Sequence, residues 1–158
     1  MDQTFDAPPD AAEELAALLE RSGVDYLREG GRFRFQFSSR GCLWQTVCDC
    51  REELALVYGL HPARVTAPEA ALALSAQLNS RVTEGSFFPW EGRLVFRTSA
   101  RLTQRFEAQE RLAAALEYNA QALSTYWEQL AAGAQGLHLN HWIQPGDRSG
   151  FGANTASK

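Results

Sequence analysis

What the sequence lacks already narrows its class. No apolar run approaches the roughly 18 residues of a membrane-spanning helix. The first residues carry Asp2, Asp6, Asp10, Glu13 and Glu14 with no apolar segment, so no secretory signal is expected there. There is no basic surplus. Fifteen Lys and Arg against nineteen Asp and Glu leave a net charge of −4, which argues against a dedicated nucleic-acid binder. Lysine is nearly missing, Lys158 being the only one. Cysteine is scarce, and Cys42, Cys48 and Cys50 read as reduced thiols of a cytoplasmic protein. The patterns G-x-S-x-G, G-x-G-x-x-G and G-x-x-x-x-G-K are all missing, so neither a nucleophile elbow nor a common phosphate loop is present. The expectation is a protein with no catalytic residues, no cofactor and no metal, and with no membrane segment.

What is present is periodicity. The residues Leu102, Phe106, Gln109, Ala113, Leu116, Ala120, Leu123, Trp127 and Leu130 step by four and three without a break. That spacing keeps them on one face of a helix. No proline or glycine falls between Thr103 and Ala132, and Gly133 is the expected stop. A first helix is expected from the Asp6–Pro9 region to Gly23, with Ala11, Leu15, Leu18 and Leu19 as its stripe. A second begins at Thr66, where Thr66 and Glu69 are spaced as a capping box.

Between the helices the period changes to two. Val24–Glu29 and Arg32–Phe37 flank a Gly30-Gly31 turn, with Phe33, Phe35 and Phe37 alternating against Arg32, Arg34 and Gln36. Further strands are expected at Cys42–Cys50, Leu54–Leu60, Ser86–Trp90 and Arg93–Thr98. Strands grouped in hairpins indicate an α+β fold with an antiparallel sheet and helices packed on it. Residues 1–132 form a single domain in this reading, and 133–158, rich in Gly, Asn, Ser and Gln, form a C-terminal tail.

The candidate chemistry is sparse. Cys42, Cys48 and Cys50 point the same way on an uninterrupted strand and could meet a metal with His61. Their C-x5-C-x-C spacing is not that of structural zinc, and buried packing thiols are the simpler reading. His138 and His141 would share a metal only on a helix, which the tail does not predict. Arg93, Arg97, Arg101 and Arg105 recur every four residues, near Phe87, Phe88 and Trp90. This is an alternative nucleic-acid contact, although strand structure at Arg93 and Arg97 interrupts a simple helical stripe. Candidate protein-binding positions are Leu15, Leu18 and Leu19 on the first helix, Leu72 on the outer side of the second, and Leu137 and Trp142 in the tail.

Leu78-Asn79, Gly85-Ser86-Phe87-Phe88 and Gly92-Arg93-Leu94-Val95-Phe96-Arg97 together resemble the core signature of YbjN-like bacterial proteins. The resemblance spans roughly Ala11 to Leu130. It implies a fold similar to type III secretion chaperones, an α-β-β-β-α-β-β-α layout ending in a long helix. It further implies a small, often dimeric, acidic cytosolic protein that holds another protein in a chaperone-like or regulatory role. The family has no established catalytic residues to carry over. The residue pattern differs from that layout by one strand, four instead of three between the first two helices.

Overall fold

Asp10 starts the first helix. Its carboxylate accepts the Glu13 N–H at 3.2 Å, and α1 runs Ala11–Arg21 with Glu13 and Glu14 in its first turn. The prolines therefore precede the helix and do not open it. The computed structural model describes residues 7–137. After α1 come β1 (Leu27–Glu29), β2 (Arg32–Ser39), β3 (Cys42–Arg51), β4 (Leu54–Arg64), α2 (Pro68–Asn79), β5 (Ser86–Trp90) and β6 (Arg93–Arg101). A 3₁₀ turn at Arg105–Glu107 leads into α3 (Ala108–Thr125) and α4 (Trp127–Ala134).

The strands form one six-stranded sheet in the order β1-β2-β3-β4-β6-β5, every neighbouring pair antiparallel. The fold is α+β, as the hairpin grouping requires. The fourth strand of the first group is the three-residue β1, a short lead into the β2 hairpin. At the Gly30-Gly31 turn only Gly30 takes a positive φ; Gly31 is required for space, because a Cβ there would strike the Cys50 carbonyl.

All the described helices lie on one side. Phe33 and Phe35, Cys48 and Cys50, and Ala55 and Val57 face α1 and the first half of α3. Trp44, Leu94, Phe96 and Phe87 face α2, α4 and the second half of α3. At Gly59 helix and sheet approach so closely that a Cβ would run into Leu123 and Asn119 of α3.

The C-terminal helical region differs from the expectation in five ways. It starts at Ala108, not Thr103, because β6 continues to Arg101 and a 3₁₀ turn intervenes. Leu102 is fully buried, but by the chain leaving β6, where its N–H donates to the Glu53 carbonyl at 2.8 Å. Phe106 is 84% exposed and leaves the inner stripe altogether. Tyr126 breaks the helix, and Gly133 lies inside α4 against Leu74, with the chain turning at Gly136 (φ +76°). The break lets α4 tilt onto α2. The same packing replaces the Thr66–Glu69 capping box. Ala67 is the N-cap of α2, with no side-chain bond, and the Thr66 and Ala67 N–H groups both donate to the Ala134 carbonyl.

Candidate binding surface on the open face of the sheet

Among the described residues, no helix covers one face of the sheet. Cross-strand partners share a face, so register identifies what stands there. On β4 the row is Leu54, Leu56, Tyr58 and Leu60. Val47 of β3 lies opposite Tyr58, and Val95 of β6 opposite Leu60. Phe88 of β5 pairs with Val95, and Trp90 with Arg93. The β4 residues are half-buried, Leu43 at the end of β3 is 54% exposed, and Trp90 is 38% exposed. Trp90 reaches across β6 to stack on Tyr58, ring centres 5.9 Å apart, and Val95 on the strand between them is fully buried.

Arginines frame this apolar centre. Arg32 and Arg34 stand on β2, and Arg93, Arg97 and Arg101 on β6. The Arg97 guanidinium sits over the Phe88 ring at 5.9 Å. Asp49 is held by Arg51 at 3.1 Å, and Arg101 by Glu53 at 3.0 Å. Arg34, Arg93 and Arg97 form no ion pair with a described residue. The Nε of Arg93 is buried without a hydrogen-bond partner among the described residues.

The residues singled out in the sequence separate accordingly. Leu15, Leu18 and Leu19 are corrected from candidate binding positions to core, because the stripe of α1 packs onto the sheet and α3. Leu72 and Leu137 are each 61% exposed, on the outer side of α2 and after α4. Trp142, His138 and His141 lie outside the described residues. Arg93, Arg97 and Arg101 share the open face, since every fourth residue of a strand points the same way. Arg105 is exposed in the 3₁₀ turn, off that face's strands. Phe87 is core, packed on Phe96. The apolar row on β4 is not among the sequence candidates, although Leu54-Ala55-Leu56-Val57-Tyr58-Gly59-Leu60 signals it by having no polar alternate.

No known family profile matches the chain, and no curated protein matches it in sequence. Among solved structures it is similar to YbjN, described as a candidate transcription regulator from E. coli, with a TM-score of 0.53 and 17% identity. The similarity covers 72% of this chain and 85% of that one. The chain has a YbjN-like fold.

Within this YbjN-like fold the helix side holds buried chemistry. Cys48 and Cys50 are buried free thiols. Burial, with Cys50 beside it, pushes the Cys48 thiol far above its ordinary value. Burial pushes Cys50 up to about 12, and the neighbouring carboxylates of Asp49 and Asp10 add to this against Arg28. Such thiols stay protonated and are poor nucleophiles and poor ligands. His61 is buried beside the Trp127 ring, with ring centres 4.3 Å apart. Its Nδ1 accepts the Ala63 N–H at 3.1 Å, which leaves the proton on Nε2 to donate to the Trp127 carbonyl at 3.1 Å. Cys42 is half-buried, and among the described residues no three His, Cys, Asp or Glu side chains converge as a metal-ligating group.

Proposed function

We propose that the chain is a non-enzymatic, cytoplasmic protein-binding module, homodimeric and chaperone-like or regulatory, that holds another protein through the open face of its sheet. We read residues 1–132 as its single domain and a member of the YbjN-like group, with Gly133 and Ala134 of α4 packed on it and the remainder to 158 as a tail. One observation carries the reading: the apolar row Leu54, Leu56, Tyr58 and Leu60, flanked by Val47 and Val95, stands on a sheet face that no described helix covers. Contiguous apolar surface rimmed by polar groups is what protein partners bury. The structural neighbour's description as a regulator supports a binding role. Exposed Leu72 and Leu137 are the positions from which the homodimer is built in this reading. Light scattering over a concentration series tests the assembly. A dimer that Leu72→Asp disrupts supports it, and a monomer throughout removes it. Affinity capture with wild type and Leu56→Asp tests the binding face. A reproducible partner lost only from the variant supports the reading, and no reproducible partner ends it.

A second reading has its own observation. Arg93, Arg97 and Arg101 share a face with Phe88 and Trp90, as a nucleic-acid contact needs. It requires a salt-sensitive mobility shift that Arg97→Glu abolishes. No shift at low salt ends it.

A further inference from the structure

β4 is patterned differently from β2, two strands away in the sheet. β2 alternates, with Phe33 and Phe35 toward the helices and Arg32, Arg34 and Gln36 away. β4 is apolar on both sides from Leu54 to Leu60. A strand of that composition belongs where both faces are covered. The described helices cover one of them.

Basic residues outnumber acidic ones around the row, where Glu29 pairs with Arg32 and Asp49 stands between Arg32 and Leu56, held by Arg51. Arg32 and Arg34 line it on one side, and Arg93, Arg97 and Arg101 on the other. β3 and β4 lie between these arginine rows, so the rows stand about 14 Å apart at ~4.8 Å per strand. The chain as a whole carries −4, so this face opposes the sign of the rest. The acidic groups of α1 and α3 are on the helix layer.

We infer that the open face is the docking site for an acidic amphipathic α-helix of a partner protein. This rests on the protein-binding reading above and specifies its ligand. A helix is about 10–12 Å wide with its side chains, which fits between the arginine rows. The row from Leu54 to Leu60 is about 20 Å long, enough for roughly thirteen helical residues. The partner's apolar stripe lies on Leu56, Tyr58 and Leu60, and carboxylates on its two flanks meet Arg34 on one side and Arg97 and Arg93 on the other. Arg93 Nε, buried and unpartnered among the described residues, gains an acceptor. A nucleic-acid strand suits the face less well. The aromatic faces it would stack on are engaged, Tyr58 with Trp90 and Phe88 beneath Arg97, and the rest of the row is aliphatic. A second copy of this chain has no suitable described helix to give, since its acidic α1 spends its apolar stripe on its own core.

The test is a fluorescence-anisotropy titration of the full chain into labelled helical peptides of about fourteen residues. One carries leucines at i, i+3, i+4 and i+7 with glutamates on both flanks. The second has lysines in place of the glutamates, and the third is a scramble of the first. A single-stranded oligonucleotide is the fourth probe. The acidic helix is expected to bind at least about tenfold tighter than the other three. The double variant R34E/R97E, with both changes at exposed positions, is expected to weaken it by about tenfold and to bind the lysine-flanked peptide better. Equal binding of the scramble, tighter binding of the oligonucleotide, or indifference to R34E/R97E overturns the inference. The same titration on a chain shown to be dimeric must give one peptide per protomer; a dimer that excludes the peptide assigns the face to a second copy. If the acidic helix fails while a partner protein is still captured, the docking site falls and the binding-module reading stands. If nothing is captured, both fall.

Discussion

Asn119 on α3 donates from Nδ2 to the Phe96 carbonyl on β6 at 2.9 Å. The same amide reaches the Val57 carbonyl of β4 at 3.2 Å and Thr98 Oγ1 at 3.3 Å, and Thr98 Oγ1 in turn donates to the Ala115 carbonyl at 3.0 Å. The residue is buried. It therefore ties the helix layer to the adjacent strands β4 and β6 with directional bonds. Asn119→Ala removes these bonds and leaves a small void, for an expected loss of about 2–3 kcal/mol in urea unfolding. Asn119→Asp should be worse, because it puts a carboxylate among carbonyl oxygens. A loss below ~0.5 kcal/mol for Asn119→Ala contradicts the assignment.

His61 makes stability depend on acid. Burial lowers its pKa to about 4 from an ordinary 6.5, against the Trp127 carbonyl bond, which favours the charged form. The unfolded chain takes up this proton near pH 6.5 and the folded chain only near pH 4. The stabilising contribution of the neutral ring is therefore complete above pH 6.5 and is lost as pH falls toward 4, by up to about 3 kcal/mol. Urea midpoints measured between pH 7 and 4.5 should fall for the wild type and fall less for His61→Gln. Parallel curves for the two proteins rule the group out as the cause.

The three thiols should separate kinetically. With Ellman's reagent at pH 8, half-buried Cys42 is expected to react first. Cys48 and Cys50 should wait for unfolding, because burial keeps them protonated and out of reach. Fast reaction of all three in the folded protein contradicts this burial.

Leu102 and Phe106 stand four residues apart and should behave as opposites. Leu102→Ala should cost about 3 kcal/mol, and Phe106→Ala less than about 0.5 kcal/mol. Denaturant midpoints on the two variants measure both. A costly Phe106→Ala would mean that this ring is covered in solution.

That pair shows where sequence pattern was informative and where it was not. From Gln109 to Leu123 the four-and-three spacing marks the inner side of α3, and Gln109, its one polar member, bonds Arg21 and Glu14 of α1. Leu102 fits the spacing from a different element, since a chain leaving a strand can point inward at the same step. The break at Tyr126 has no glycine or proline to announce it; it comes from packing, with Tyr126 set edge-on to Phe87 and α4 laid on α2. For the open face, the alternation of β2 and the unbroken apolar run of β4 were legible in the sequence. The strand order was not, and only that order puts β6 between β4 and β5, so that Trp90 can reach Tyr58. The four-residue arginine spacing fits a helical stripe, but a strand also keeps every fourth residue on one side.

The β4–β6 pairing bears on how the chain folds. Leu60 and Val95 are direct partners, yet α2 and β5 lie between them in sequence. The meander from β1 to β4 and the β5–β6 hairpin each close over short turns, so they can form early and separately. Joining them requires closing the whole intervening loop before its contacts are gained. Refolding should be limited by that one encounter, and substitutions along the β4–β6 seam should slow it more than substitutions in either hairpin.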